Sequence, residues 1–107
     1  MRLLRRRSGT ETARADTDDA TTTPIGSIVE RRPVTITGQV LGIRIRPSDE
    51  LPTLVVRLGD DTGSVTLVWT GRRAVGGVTL GRRLSVDGTP VRSPDGVCIY
   101  NPTYRLL

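Results

Sequence analysis

Histidine and lysine are absent, cysteine occurs once as Cys98, and Trp69, Tyr100 and Tyr104 are the only aromatics, 3% of 107 residues. Without His and with a single Cys, no side-chain cluster can hold zinc, and neither a Ser-His nor a Cys-His nucleophile pair can be assembled. An internal disulfide is impossible, which fits a reducing compartment. No segment approaches the roughly 18 apolar residues of a membrane span. Met1 to Arg7 (MRLLRRR) is followed by Ser8, Gly9, Thr10 and Glu11 rather than by the apolar run of a secretory or twin-arginine signal. Seven residues also offer too little apolar area to insert stably into lipid. The expectation is a soluble, cytoplasmic chain that is not an enzyme and carries no cofactor or metal.

What the sequence does have is arginine: 16 against 11 acids, a formal charge of +5. Cationic surfaces attract polyanions and release condensed counterions on contact, although charge can equally serve solubility. Its placement decides between the two. Residues 1–23 hold five Arg and four acids, lack apolar periodicity, and read as a flexible tail. Residues 24–107 hold 11 Arg and seven acids, so most of the excess lies in the part able to fold.

Thr23-Pro24 reads as the start of a helical turn or two, with Ile25, Ile28 and Val29 on one face and Pro33 closing it. From Pro33 the period becomes 2. Val34, Ile36, Gly38 and Val40 alternate with polar residues, and then the apolar set slips to Leu41, Ile43 and Ile45. A strand cannot change its buried face without an inserted residue, so a β-bulge is expected near Leu41 and Gly42. Leu54, Val56 and Leu58 form the inner face of a second strand, Asp60-Asp61-Thr62-Gly63 a tight turn, and Val65, Leu67 and Trp69 the inner face of a third. Alternation fails between Thr70 and Leu80, which reads as a loop or a very short helix. Leu84 and Val86, the turn Ser93-Pro94-Asp95-Gly96, and Val97 with Ile99 complete five strands. The pattern is that of an all-β, five-stranded OB-fold (Greek-key) barrel; an SH3-like barrel shares the composition but lacks the long gap after the third strand.

The run Leu58 to Trp69 (LGDDTGSVTLVW), followed by Gly81 to Gly88 (GRRLSVDG), resembles the nucleic-acid-binding OB domains of the tRNA-anticodon type. Tyr100-Asn101-Pro102-Thr103-Tyr104 is similar to the close of the wedge domain in RecG-type helicases. The resemblance covers about residues 24–107 and implies a free-standing OB module. Helicase motifs are missing, since no P-loop can be written without Lys.

In such a barrel the outer face of strands two and three forms the usual groove. The outward set is Thr53, Val55 and Arg57, then Thr66 and Val68, and past the bulge Arg44 and Arg46 turn outward beside them. Guanidinium groups grip phosphate bidentately or stack on bases, so Arg44, Arg46 and Arg57 are the leading candidates for holding single-stranded or structured nucleic acid. Arg72-Arg73, in the glycine-rich loop, and Arg92, between strands four and five, are secondary candidates. Tyr100, opposite in phase to Ile99, is the stacking candidate. Trp69 follows the inward phase, Tyr104 is placed to cap the barrel, and Cys98 reads as a buried or half-buried thiol. The adjacent carboxylates Asp60-Asp61 and Asp49-Glu50 are explained by turn chemistry. A protein partner, docking on the same face or on a strand edge, is the competing expectation.

Overall fold

The computed structural model describes residues 22–47, 51–94 and 96–107; positions 1–21, Ser48-Asp49-Glu50 and Asp95 lie outside the described residues, and with them most of the expected tail. Strands β1 (Val34–Arg46), β2 (Thr53–Asp60), β3 (Gly63–Thr70), β4 (Arg83–Gly88), β5 (Pro90–Ser93), β6 (Gly96–Tyr100) and β7 (Thr103–Leu106) form one sheet in the order β5-β6-β3-β2-β1-β4-β7. The pairs β1–β2, β2–β3 and β1–β4 are antiparallel, and β3–β6 is parallel.

The five expected strands are present, and the fourth is broken at Thr89. Its first half, β4, pairs with β1, and its second half, β5, pairs with β6. One stretch of chain therefore joins the two ends of the sheet, and the wall closes into an OB-fold barrel. The corner leaves no room for a side chain, because a Cβ on Gly88 would run into the Ile99 side chain. The seventh strand was not expected. It adds to the outer edge of β4, where Leu106, Arg105, Tyr104 and Thr103 pair with Leu84, Ser85, Val86 and Asp87. Four residues after a proline give too little alternation to announce it.

The inner faces match the period-2 reading. Ile36, Val40, Leu54, Val56, Leu58, Val65, Leu67, Trp69, Leu84, Val86 and Ile99 are all buried and form one core. The bulge falls where the phase slips: Val40 pairs with Leu58, Gly42 with Arg57, and Leu41 is the extra residue. Its consequence differs from expectation, because Leu41, Ile43 and Ile45 remain 47%, 37% and 47% exposed. Ile43 and Ile45, paired with Val56 and Leu54, continue the inward face of β1 beyond the end of the β1–β4 ladder at Gln39, whereas Leu41 turns to the outer face, where its side chain lies over Gly59.

Both barrel ends are plugged. At one, a single 3-10 turn, Ile25–Ser27, buries Ile25, while Val29 stays exposed. Thr23 does not cap this turn; the β2–β3 turn does, through Asp60 Oδ2 accepting from Ile25 N–H (3.0 Å) and Thr62 Oγ1 from Gly26 N–H (2.8 Å). At the other, residues 71–82 form a loop without a helix, and Val75 and Val78 turn into the core. Tyr104 ties that loop down by donating its hydroxyl to Gly76 O (2.7 Å), and Gly77 adopts φ +77° with Leu106 packed against its Cα.

Candidate functional site

Strand register settles which side chains share the outer wall. Residues two apart on a strand lie on one face, and directly paired residues on neighbouring strands lie on the same face. One rung runs Arg44, Val55, Val68, Tyr100 across β1, β2, β3 and β6; the next runs Gly42, Arg57, Thr66, Cys98. A third begins with Arg46, paired with Thr53. These rungs form a concave cleft of about 610 Å³, bounded at the far side by Ser93 and Pro94 of the β5–β6 hairpin.

The cleft is divided by chemistry. Its floor is apolar and deep: Val55, Val68 and Cys98 are each less than 10% exposed, although the alternation reading had Val55 and Val68 simply outward. The β5–β6 hairpin and the projecting β1–β2 arm wall them in. The β1–β2 side carries the cations. Arg44 and Arg46 stand about 6.7 Å apart along one strand, and Arg57 is diagonal to Arg44, a relation of about 7–8 Å. All three arginines are exposed, and among the described residues no acid pairs with Arg44 or Arg57. Gly42, opposite Arg57, puts no side chain between that guanidinium and the floor. On the β6 side Tyr100 is 48% exposed and presents its ring to the cleft. Asn101, in a left-handed conformation (φ 50°), fixes the end of that strand: its N–H donates to Val68 O (2.6 Å) and its Oδ1 accepts from Thr70 N–H (3.0 Å).

Four of the expected residues, Arg44, Arg46, Arg57 and Tyr100, thus line one cleft, and three do not. Arg72 borders a separate depression with Trp69, Asn101 and Tyr104, and Arg73 is exposed on the same loop. Arg92 lies within β5 rather than in a turn, and alternation sends it away from the face of Ser93. There it holds Glu30 through Nη2 (2.6 Å) and Nε (2.9 Å), so it works as a clasp between β5 and the segment after the 3-10 turn. Sequence reasoning missed Ser93 and Pro94, which it had read as turn formers only. Cys98 gave a partial signal through its phase; its thiol sits 3.2 Å from Ser93 Oγ on the cleft floor.

Trp69, Tyr104 and Asp60 are held by bonds within the fold. Trp69 is buried, donates its indole N–H to Pro102 O (3.2 Å), and meets the Tyr104 ring edge-on at 5.8 Å. Asp60 accepts from Thr62 N–H (2.7 Å), Thr62 Oγ1 (2.6 Å) and Gly63 N–H (3.2 Å) as well as from Ile25. Desolvation raises its pKa, but the hydrogen bonds from Ile25, Thr62 and Gly63 to the charged form outweigh it and hold the carboxyl below its ordinary value. Among the described residues no three His, Cys, Asp or Glu side chains gather as metal ligands. Asp49-Glu50 lies outside the described residues.

No protein-family model matches the chain, and no curated protein matches its sequence. Solved structures do. The second OB-fold domain of replication protein A from Methanococcus maripaludis superposes with a TM-score of 0.64 at 18% identity, covering 80% of this chain and 94% of that one. The p204 HINb domain gives 0.66 at 19% identity over 82% of this chain, which spans about half (48%) of that longer chain. At such identities the likeness establishes the OB-fold.

Proposed function

We propose that the cleft binds nucleic acid, single-stranded or locally structured, and that the chain acts as a non-enzymatic OB module. The observation that carries this is the convergence of Arg44, Arg46 and Arg57 on one side of an apolar floor, with Tyr100 on the other. Phosphates lie against the guanidinium groups, each able to make two parallel hydrogen bonds. An unstacked base lies over Val55 and Val68 against the Tyr100 ring. A base still stacked and paired in a duplex cannot reach that floor, so single strands and loops are preferred. One exposed aromatic in the cleft makes the binding mainly electrostatic, modest in strength and tolerant of sequence. A replication protein's OB domain among the structural neighbours supports this reading; the runs Leu58 to Trp69 and Gly81 to Gly88 support a likeness to the tRNA-anticodon type, and Tyr100 to Tyr104 a likeness to the RecG wedge. The apolar floor favours a second reading, a protein partner on the same wall.

The test is fluorescence anisotropy with labelled single-stranded DNA, single-stranded RNA and duplex DNA. Single strands bind best at about 50 mM salt and are released as salt rises. Tyr100→Ala weakens that binding about 5- to 150-fold, the equivalent of one lost stacked base. Absence of binding to every oligonucleotide at low salt overturns the proposal, and recovery of a protein partner after nuclease treatment then favours the second reading.

A further inference from the structure

We infer that the depression next to the cleft, rimmed by Arg72 and Asn101, is a phosphate subsite for the same nucleic-acid strand; this rests on the function proposed above. The outer wall runs on past Tyr100. Its third rung, Arg46, Thr53 and Thr70, ends at Thr70, which lies about 6.7 Å along β3 from Val68 on the cleft floor. There the wall opens into a hollow of about 450 Å³ lined by Thr70, Arg72, Asn101 and Thr103 together with the Trp69–Tyr104 ring pair. Asn101 follows Tyr100 directly in the chain, so a strand leaving the Tyr100 ring on this side meets the hollow next.

The hydrogen-bond inventory of the hollow identifies the occupant as an anion. A backbone N–H can only donate, so the Thr70 N–H fixes the Asn101 amide with Oδ1 toward β3 (3.0 Å), and the Thr70 hydroxyl donates to the same oxygen (3.3 Å). Both N–H groups of Asn101 Nδ2 are then left for a ligand. Pro102 O is taken by the Trp69 indole N–H (3.2 Å), and the Tyr104 hydroxyl hydrogen is taken by Gly76 O (2.7 Å). The Arg72 guanidinium is exposed and finds no acceptor among the described residues. None of the residues lining the hollow is an acid. Free groups that are mostly donors, one of them charged, match the oxygens of a phosphate. A base has less to gain there, because Trp69 is 4% exposed and offers it no face to stack on. The left-handed backbone of Asn101 (φ 50°), unusual for a residue other than glycine, is what holds the amide at this corner.

Strand length separates the two sites. From Arg44 to Tyr100 the cleft spans three strand spacings, about 14 Å, so only a strand that outruns it enters the hollow. The test is anisotropy on the full chain with single-stranded oligothymidylates of about 4 and about 12 nucleotides, both within the range an OB fold covers. Arg72→Ala is expected to flatten the salt slope of the longer strand by about 0.7, one phosphate contact, so that between about 50 and 200 mM salt the parent loses about 2.6-fold more affinity than the variant. The slope of the shorter strand stays at the parental value. Asn101→Asp keeps the acceptor for the Thr70 N–H but exchanges the two donors for a carboxylate oxygen, and is expected to weaken the longer strand more than the shorter. Arg73→Ala makes the same change of charge on the same loop but outside the hollow, and is expected to affect both lengths alike. An Arg72→Ala effect that is equal at the two lengths, or no larger than that of Arg73→Ala, overturns the inference while the cleft still binds. Failure of the parent to bind either length overturns the proposed function, and the subsite with it.

Discussion

Replacing Arg44, Arg46 and Arg57 together by alanine tests whether the positive charge acts as a localised grip or as a diffuse field. Each phosphate neutralised on a single strand contributes about −0.7 to the slope of log affinity against log salt, so three lost contacts flatten that slope by about 2. Between about 50 and 200 mM salt, a fourfold change, the parent is then expected to lose roughly 20-fold more affinity than the triple variant. The control removes the same charge elsewhere. Arg32, Arg73 and Arg82 are exposed and lie outside the cleft, and their triple alanine variant has the same formal charge of +2 as the first. Anisotropy titrations of both variants with one labelled single strand at four salt concentrations give the slopes. The control should keep at least two-thirds of the parental slope. Equal flattening in the two variants would mean that the charge works without regard to position, and the convergence of the three cleft arginines would then explain nothing.

Three further predictions concern the frame that holds the cleft. Asp60→Ala removes the acceptor shared by the 3-10 turn and the β2–β3 turn and is expected to cost about 1–2 kcal/mol at pH 7. Since the folded pKa is lowered, the carboxylate's contribution is fully present above the unfolded value of about 3.9 and is lost as pH falls through the folded value. Urea midpoints of parent and variant should therefore converge on acidification toward pH 3, and a constant gap would show that ionisation plays no part. Gly88→Ala forces a methyl against Ile99 at the β4–β5 corner and should lower stability by about 1–3 kcal/mol. Gly42→Ala, where nothing lies within 4 Å of an added Cβ, should stay within about 0.5 kcal/mol of the parent; equal effects would remove the argument for the corner. Trp69→Phe leaves Pro102 O without its donor and should cost about 1–2 kcal/mol in chemical denaturation while leaving oligonucleotide affinity unchanged. A drop in affinity would place Trp69 in the binding face after all.

The amino-acid order by itself determined the barrel strands, their inner faces and the bulge at Leu41. Side-chain alternation has a period of 2, and a slip in it can be satisfied only by an extra residue. The same alternation placed Arg44, Arg46 and Arg57 outward, and the phase of Tyr100 against Ile99 marked it as surface. Tertiary structure alone decided what depends on which strands become neighbours. The parallel β3–β6 pairing brings Tyr100 level with Val68 and Cys98 level with Thr66, a relation between segments some 30 residues apart that no local pattern encodes. It also drew Arg92 to Glu30, gave Asp60 to a turn 35 residues earlier, and left Leu41, Ile43 and Ile45 in solvent. Apolar spacing states which face a strand offers; whether anything comes to cover that face is fixed by where its ladder ends.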